Sequence, residues 1–165
     1  MKRVLYATCL LLLFVSYVDS HAFQSLKAED MYECYVKLLC TLNREEDFHE
    51  LLEEAGPEIK GNGWEWIKTV TGVEGPDNTL ENWARYKAVV CDLSEEENRK
   101  QFNEFFQLGG EYWLEVCFNT YSPRCKKAEE TATKVAEYFE IHFENGNCRK
   151  SAGNEQKTKK KVVFG

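Results

Sequence analysis

Histidine, proline and methionine are scarce in this sequence, and the motifs of common catalytic sites are missing from it. The 165 residues include three histidines, three prolines and two methionines. Histidine is the side chain whose ordinary pKa suits proton transfer near neutral pH, so its scarcity limits acid–base catalysis. The sequence also lacks a G-x-S-x-G nucleophile motif, a phosphate-binding glycine loop and a calcium-binding loop. These absences favour a protein that is not an enzyme and needs no cofactor.

Only His49 and His142 lie outside the first 22 residues. His49 begins an H-E-x-x-E pattern with Glu50 and Glu53, which differs from the zinc-binding H-E-x-x-H helix at its last position. A zinc site needs further ligands, and the sequence offers no candidate for the third. His142 continues the apolar face of a predicted helix, so we expect it to be a histidine at the edge of the core. We therefore predict no catalytic and no metal-binding residue.

Long apolar runs are absent after the first 22 residues, and the run within them has the form of a secretory signal peptide. The basic stretch Lys2-Arg3 precedes the apolar residues 10–15, and residues 20–22 include small side chains of the kind that a signal peptidase recognises. A membrane-spanning helix needs about 18 or more apolar residues, whereas this run ends at Asp19. The sequence predicts a signal peptide over residues 1–22, an extracellular location and no integral membrane segment.

The cysteine count indicates disulfides. Of seven cysteines, Cys9 lies in the predicted signal peptide, and an even number in a secreted chain favours disulfide pairing over metal binding. We predict three disulfides among the remaining six, which are Cys34, Cys40, Cys91, Cys117, Cys125 and Cys148. Cys34 and Cys40 are six positions apart on a predicted helix, which is too far for a direct bond. Each is therefore expected to tie the first helix to a different neighbour, and the other pairings stay open.

Charge is distributed unevenly along the chain. Residues 23–148 carry 13 Lys or Arg against 26 Asp or Glu, whereas residues 149–165 carry six basic residues and one acid. An acidic body does not suit nucleic acid, which is a polyanion. The tail has few apolar residues and is predicted to be disordered. It includes Lys159-Lys160-Lys161, a candidate processing site, and ends at Gly165, a candidate donor of the nitrogen of a C-terminal amide.

Alternating β patterns are also missing, and apolar residues recur instead at helical spacing. We predict an all-α bundle of five to seven helices, joined by disulfides into a single monomeric domain over residues 23–148. Asn78 and Ser94 are predicted helix caps, each followed three residues later by a glutamate. The predicted helices before residue 120 cover about residues 25–42, 45–55, 64–70, 79–91, 95–108 and 111–118. The last two are separated because Gly109-Gly110 is expected to break the helix.

The clearest predicted helix lies between Cys125 and Cys148. Ser122 can cap it, Pro123 suits its first position and Asn145-Gly146 can end it. An apolar stripe runs along one face of this helix, through Cys125, Ala128, Ala132, Val135, Phe139, His142 and Phe143. We expect this stripe to be buried and the helix to close the bundle.

Aromatic residues are plentiful, with four Trp, eight Tyr and ten Phe. Those predicted to be inside are Trp64, Trp66, Trp83, Phe102, Phe105, Phe106, Tyr112, Trp113, Phe139 and Phe143. They can fill the core of a small helical protein, or they can line a cavity for an apolar ligand. The sequence leaves both alternatives open and identifies no ligand-binding residue.

Six cysteines, a predicted signal peptide and about six helices resemble the insect odorant-binding proteins in class, and that resemblance implies a carrier of hydrophobic ligands. In that family the second and third cysteines lie three residues apart, a spacing that this chain lacks. More widely, the chain resembles the small cysteine-rich venom and haemolymph proteins of arthropods. We therefore expect a secreted protein that acts by binding. The leading hypothesis is an extracellular effector, such as a venom or gland component, with a protein target. The alternative is a carrier of a small apolar ligand.

Overall fold

The computed structural model describes residues 27–148 and shows a bundle of six α-helices, which confirms the all-α prediction. The helices are α1 (Ala28–Val36), α2 (Glu45–Glu54), α3 (Pro57–Thr71), α4 (Leu80–Asp92), α5 (Glu95–Val116) and α6 (Pro123–Glu144). A π-helical segment, Lys37–Thr41, continues directly from α1. The predicted signal peptide (residues 1–22) and the basic tail (residues 149–165), with Gly165, lie outside the described residues.

The first helix is not the uniform α-helix predicted for residues 25–42. Its last five residues form the π-helical segment, which contains two adjacent leucines, Leu38 and Leu39, that are both fully buried. Leu38 packs into one cluster of core residues and Leu39 into another. The first cluster consists of Met31, Tyr32, Cys34, Leu38, Phe102, Phe139 and Cys148. The second cluster consists of Leu39, Trp64, Ile67, Val73, Trp83, Tyr86 and Val90. The segment therefore joins the two halves of the core.

Helix α3 begins earlier than the short helix predicted for residues 64–70. Gly56 ends α2 with a φ of 85°, and Pro57 then occupies the first turn of α3, where its missing N–H removes no helical hydrogen bond. Gly61 and Gly63 are tolerated inside this helix because packing outweighs their low helix propensity. A Cβ at Gly63 would lie 3.0 Å from Leu52 Cδ1, so the glycine allows α2 and α3 to pack closely.

Helix α5 runs without interruption through Gly109-Gly110, so the predicted break into two helices was wrong. Each glycine costs about 1 kcal/mol relative to alanine inside a helix, and tertiary packing offsets such a cost. Helix α5 packs against α3, and the backbone at Gly109 lies beside the Trp66 ring. Ser94 caps this helix with a full capping box to Glu97, as predicted.

The cap of α4 is Thr79, whose hydroxyl oxygen accepts a hydrogen bond from the Asn82 N–H, and not Asn78 as predicted. Asn78 has a φ of 46° and is buried, with 1% of its surface exposed. Its side chain makes contacts within the core instead, because the next residue, Thr79, already caps the helix through the Asn82 N–H.

Three disulfides join the helices. Cys34 of α1 pairs with Cys148 beyond α6, and Cys40 of the π-helical segment pairs with Cys91 of α4. The first helical unit is therefore tied to two different neighbours, and its two cysteines are not paired with each other. The third disulfide, Cys117–Cys125, connects the end of α5 to the start of α6.

Helix α6 has the predicted caps, with Ser122 accepting a hydrogen bond from the Cys125 N–H and Pro123 in the first turn. Phe139 is buried in the first cluster, while Val135 and Phe143 are partly buried against it. The apolar stripe therefore faces the core along most of its length, although the burial of Val135 and Phe143 is less complete than expected.

Two glycine substitutions are expected to shift stability in opposite directions. A Cβ at Gly75 would lie 2.4 Å from the ring of the buried Trp64, so Gly75→Ala is expected to destabilise the fold by about 2 kcal/mol. A Cβ at Gly61 would have no neighbouring heavy atom within 4 Å, so Gly61→Ala is expected to stabilise α3 by about 0.5–1 kcal/mol. Urea unfolding of both variants would test this, and unchanged stability of Gly75→Ala would contradict the packing described for Trp64.

Candidate apolar binding cavity

A partly open cavity of about 140 Å³ lies between side chains from α1 to α6. Its walls are Tyr35, Phe48, Leu51, Leu52, Ala55, Gly63, Ile67, Trp83, Tyr86, Phe102, Phe105, Phe106, Thr131, Val135 and Phe139. More than half of these residues are aromatic and none is charged. An engineered apolar cavity of about 150 Å³ stays dry and binds benzene. The cavity therefore has the size and chemistry for a small apolar molecule.

Helical periodicity explains why these side chains meet. Residues three and four positions apart share one face of a helix. Helix α5 presents Phe102, Phe105 and Phe106 in this way, while α2 presents Phe48, Leu51 and Leu52, and α6 presents Thr131, Val135 and Phe139. Each of the three helices turns a single apolar face inward, and the cavity forms where these faces do not fill the space between them.

Phe106 lies where the cavity approaches solvent. It is 37% exposed, and its ring centroid lies 4.5 Å from that of Phe102 and 6.0 Å from that of Phe105. It is the one wall residue among the large apolar side chains that are exposed in the described part of the chain. Its ring therefore forms part of the boundary between the cavity and solvent.

Two tyrosines of the wall share a hydrogen bond. The hydroxyl oxygens of Tyr35 and Tyr86 lie 2.5 Å apart, and either hydroxyl can be the donor. Burial raises the pKa of Tyr86 to about 12 and raises the pKa of Tyr35 well above its usual value. Both phenols are therefore neutral at physiological pH, and the wall presents no charge to a ligand.

Asn78 fixes the position of the Trp83 ring in the wall. Its Oδ1 accepts hydrogen bonds from Trp83 Nε1 at 2.7 Å and from Trp64 Nε1 at 3.1 Å. Its Nδ2 donates to the Glu53 carboxylate at 2.7 Å and to the His49 carbonyl at 3.3 Å. Indole N–H groups can only donate, so this network determines which amide atom faces them. One asparagine thereby links α2, α3 and α4.

His49 and His142 lie outside the cavity wall. His142 is only 8% exposed, and burial lowers its pKa, so the ring is neutral near pH 7. Its Nδ1 lies 2.9 Å from Asn147 Nδ2, which donates to it. Its Nε2 lies 3.9 Å from the Asp47 carboxylate. The structure therefore places His142 at the edge of the core with a hydrogen bond to Nδ1, as the sequence indicated.

The residues of the H-E-x-x-E pattern are engaged in structural contacts. Glu53 accepts hydrogen bonds from Asn78 and Lys60, which hold the pKa of its carboxyl below the usual value. Within residues 27–148, the side chains close enough to share a metal ion are Cys117, Cys125 and Glu129. The two sulfur atoms of that group form a disulfide, so they are not thiolates, and the group does not have the donors of a zinc site.

A second feature is an exposed loop between the last two helices. We call residues 117–125 the aromatic loop, because the Cys117–Cys125 disulfide closes it and because Phe118 and Tyr121 are each 96% exposed on it. Ser122 fixes the end of the loop, since its hydroxyl donates to the Val116 carbonyl and accepts from the Cys125 N–H. Both side chains are therefore accessible for contact with another molecule.

Sequence reasoning identified part of the cavity wall. Its list of interior aromatics included Trp83, Phe102, Phe105, Phe106 and Phe139, all of which line the cavity. It missed Tyr35, Phe48 and Tyr86, which line the cavity as well. The signal for Phe48 was its spacing from Leu51 and Leu52, and the signal for Tyr35 was its spacing from Met31 and Leu38. Nothing local distinguishes Tyr86.

In the described part of the chain, no helix combines the length and apolar content that crossing a membrane requires. Comparison of the chain with protein-family models gives no match, and comparisons with curated proteins and with solved structures give none either.

Proposed function

We propose that this is a secreted, non-enzymatic protein that acts by binding, and that it carries a small apolar ligand in its internal cavity. The observation that carries the proposal is the cavity of about 140 Å³ with a largely aromatic, uncharged wall. Ligand sites are mostly apolar and usually preformed. The three disulfides suit an oxidising compartment, and the first 22 residues have the composition of a signal peptide. Both features support secretion.

The size of the cavity limits the class of ligand. It lies below the volumes of about 300–1,000 Å³ that are usual for drug-sized ligands, and it is close to the cavity that binds benzene. A single substituted ring or a short branched chain fits these dimensions. A fatty acid or a sterol does not fit without a change in the helix packing.

Titration with toluene tests the proposal. Toluene is expected to bind saturably and to raise the melting temperature, because a ligand that binds only the folded state stabilises it by about 2.7 kcal/mol at a hundredfold excess over Kd. Calorimetry and thermal unfolding of the full chain would measure this. Native mass spectrometry of protein purified without denaturant would reveal a ligand that is already bound.

A variant that fills the cavity provides the comparison. Val135 lines the cavity on α6, so Val135→Phe is expected to remove toluene binding. Val89 is exposed on α4, so Val89→Phe adds the same atoms elsewhere and is expected to bind toluene as the original protein does. Absence of toluene binding by the unmodified protein, or equal binding by both variants, would contradict a carrier function.

The aromatic loop supports a second candidate function, that of an extracellular effector with a protein target. Phe118 and Tyr121 are held in the open by a disulfide between two long helices. Aromatic side chains supply much of the binding energy of protein interfaces, and a constrained loop loses little conformational freedom on binding. Neither residue contributes to the cavity, so this function is separable from ligand transport.

The effector function predicts a selective loss. The labelled protein is expected to bind saturably to target cells, and Phe118→Ser/Tyr121→Ser is expected to abolish this binding. The same variant should keep its stability and its affinity for toluene, because both side chains are in solvent. Equal cell binding by the original protein and the variant would exclude the aromatic loop as the effector surface.

A further inference from the structure

Four side chains of the cavity wall carry polar atoms, and two of them donate hydrogen bonds to groups outside the wall. Trp83 donates its indole N–H to Asn78 Oδ1, and Thr131 donates its hydroxyl hydrogen to the Lys127 carbonyl. The other two are Tyr35 and Tyr86, whose hydroxyls bond to each other. Every remaining wall residue is apolar. The unused hydrogen-bond donor capacity of the cavity wall therefore lies in the tyrosine pair.

The tyrosine pair has more hydroxyl hydrogens than the hydrogen bond between its two members uses. Two phenols carry two hydroxyl hydrogens, and the contact between them uses one. No other hydrogen bond from either hydroxyl to another described residue is present in the structure. One hydrogen is therefore left without an acceptor, and an unsatisfied buried donor is costly. A molecule in the adjoining cavity can supply the acceptor.

We propose, building on the carrier function, that the ligand is a small uncharged molecule with an apolar body and one hydrogen-bond acceptor oxygen. This oxygen accepts a hydrogen bond from the hydroxyl of the Tyr35–Tyr86 pair that has no other acceptor. A carbonyl, ether or alcohol oxygen meets this requirement. A charged ligand does not, because the wall has no charged side chain to compensate for the loss of its hydration.

The test compares two compounds of nearly equal shape. Acetophenone has a C=O group where α-methylstyrene has a C=CH₂ group, so the pair differs in the acceptor oxygen. The measured quantity is the affinity for acetophenone divided by the affinity for α-methylstyrene. This ratio is expected to be about five times larger in the original protein than in Tyr35→Phe/Tyr86→Phe, which corresponds to one net hydrogen bond. Affinity for α-methylstyrene should be similar in both, and benzoate should bind at least about tenfold more weakly than acetophenone.

The double variant is chosen because a single substitution leaves one hydroxyl free to turn to the ligand. Removing both partners of a buried hydrogen bond while keeping the ring shapes costs little stability, so the double variant is expected to fold. Tyr112→Phe serves as a matched control, since its hydroxyl contacts Glu58 and it does not line the cavity.

The outcomes separate the two proposals. An affinity ratio that is the same in the original protein and the double variant would overturn the recognition of an acceptor while leaving the carrier function intact. Benzoate binding as tight as that of acetophenone would overturn the preference for neutral ligands. Absence of saturable binding for every compound would overturn both this inference and the carrier function.

Discussion

Replacing Asn78 with alanine is expected to lower the free energy of unfolding by about 4 kcal/mol. The substitution leaves the indole N–H groups of Trp64 and Trp83 without their acceptor in a buried site, and each orphaned donor costs about 1–3 kcal/mol. Alanine at a φ of 46° adds about 1 kcal/mol, because the left-handed conformation suits asparagine better. Urea unfolding monitored by tryptophan fluorescence would measure the loss.

Asn43 provides a matched control for this substitution. Among residues 27–148 it is the other non-glycine residue with a positive φ, at 54°. Its side chain is exposed, and its Oδ1 accepts a hydrogen bond from Lys87 Nζ at 2.6 Å. Asn43→Ala therefore repeats the backbone cost without orphaning a buried group, and it is expected to cost about 1 kcal/mol. Equal losses in the two variants would show that backbone conformation, and not the tryptophan network, explains the role of Asn78.

Removing the Cys34–Cys148 disulfide is expected to cost about 4 kcal/mol. The bond closes a chain segment with a sequence separation of 114 residues, and the entropy that a cross-link removes from the unfolded chain grows with loop length. The other two disulfides lie within this segment and shorten the effective loop. Cys34→Ala/Cys148→Ala, with the remaining disulfides formed, would be compared with the original protein by urea unfolding.

The short disulfide gives the comparison. Cys117 and Cys125 are eight residues apart, so Cys117→Ala/Cys125→Ala is expected to cost about 2.5 kcal/mol by the same relation. A loss as large as that for Cys34→Ala/Cys148→Ala would indicate that strain or packing, and not loop length, decides the contribution of each bond.

Much of the fold could be predicted because its signals are local. Helix α6 was identified with its cap at Ser122 and its proline at position 123, since both act through hydrogen bonds within a few residues of the helix start. The capping box at Ser94 is another local signal. The separation of Cys34 and Cys40 was enough to exclude one pairing, because helix geometry fixes the distance between them.

The errors arose where tertiary contacts outweighed local preference. Gly109-Gly110 was expected to end a helix, but packing of α5 against α3 keeps the helix continuous. Asn78 has the local pattern of a helix cap, and only the buried tryptophans, one of them 14 residues earlier in the chain, give it a different role. The cavity is least predictable, since it depends on space left between six helices. Its tyrosine pair joins residues 51 positions apart.

The position of Phe106 has a consequence for the rate at which ligands exchange. The Cys34–Cys148 and Cys40–Cys91 disulfides tie the first helical unit to both halves of the bundle, which opposes separation of the helices around the cavity. The Phe106 ring, by contrast, is 37% exposed at the surface, so its rotation does not require the helices to separate. Side-chain rotation at exposed positions takes picoseconds to nanoseconds, whereas collective helix motions take microseconds to milliseconds. For the proposed carrier function, this predicts that a ligand passing Phe106 exchanges without waiting for a collective motion of the helices.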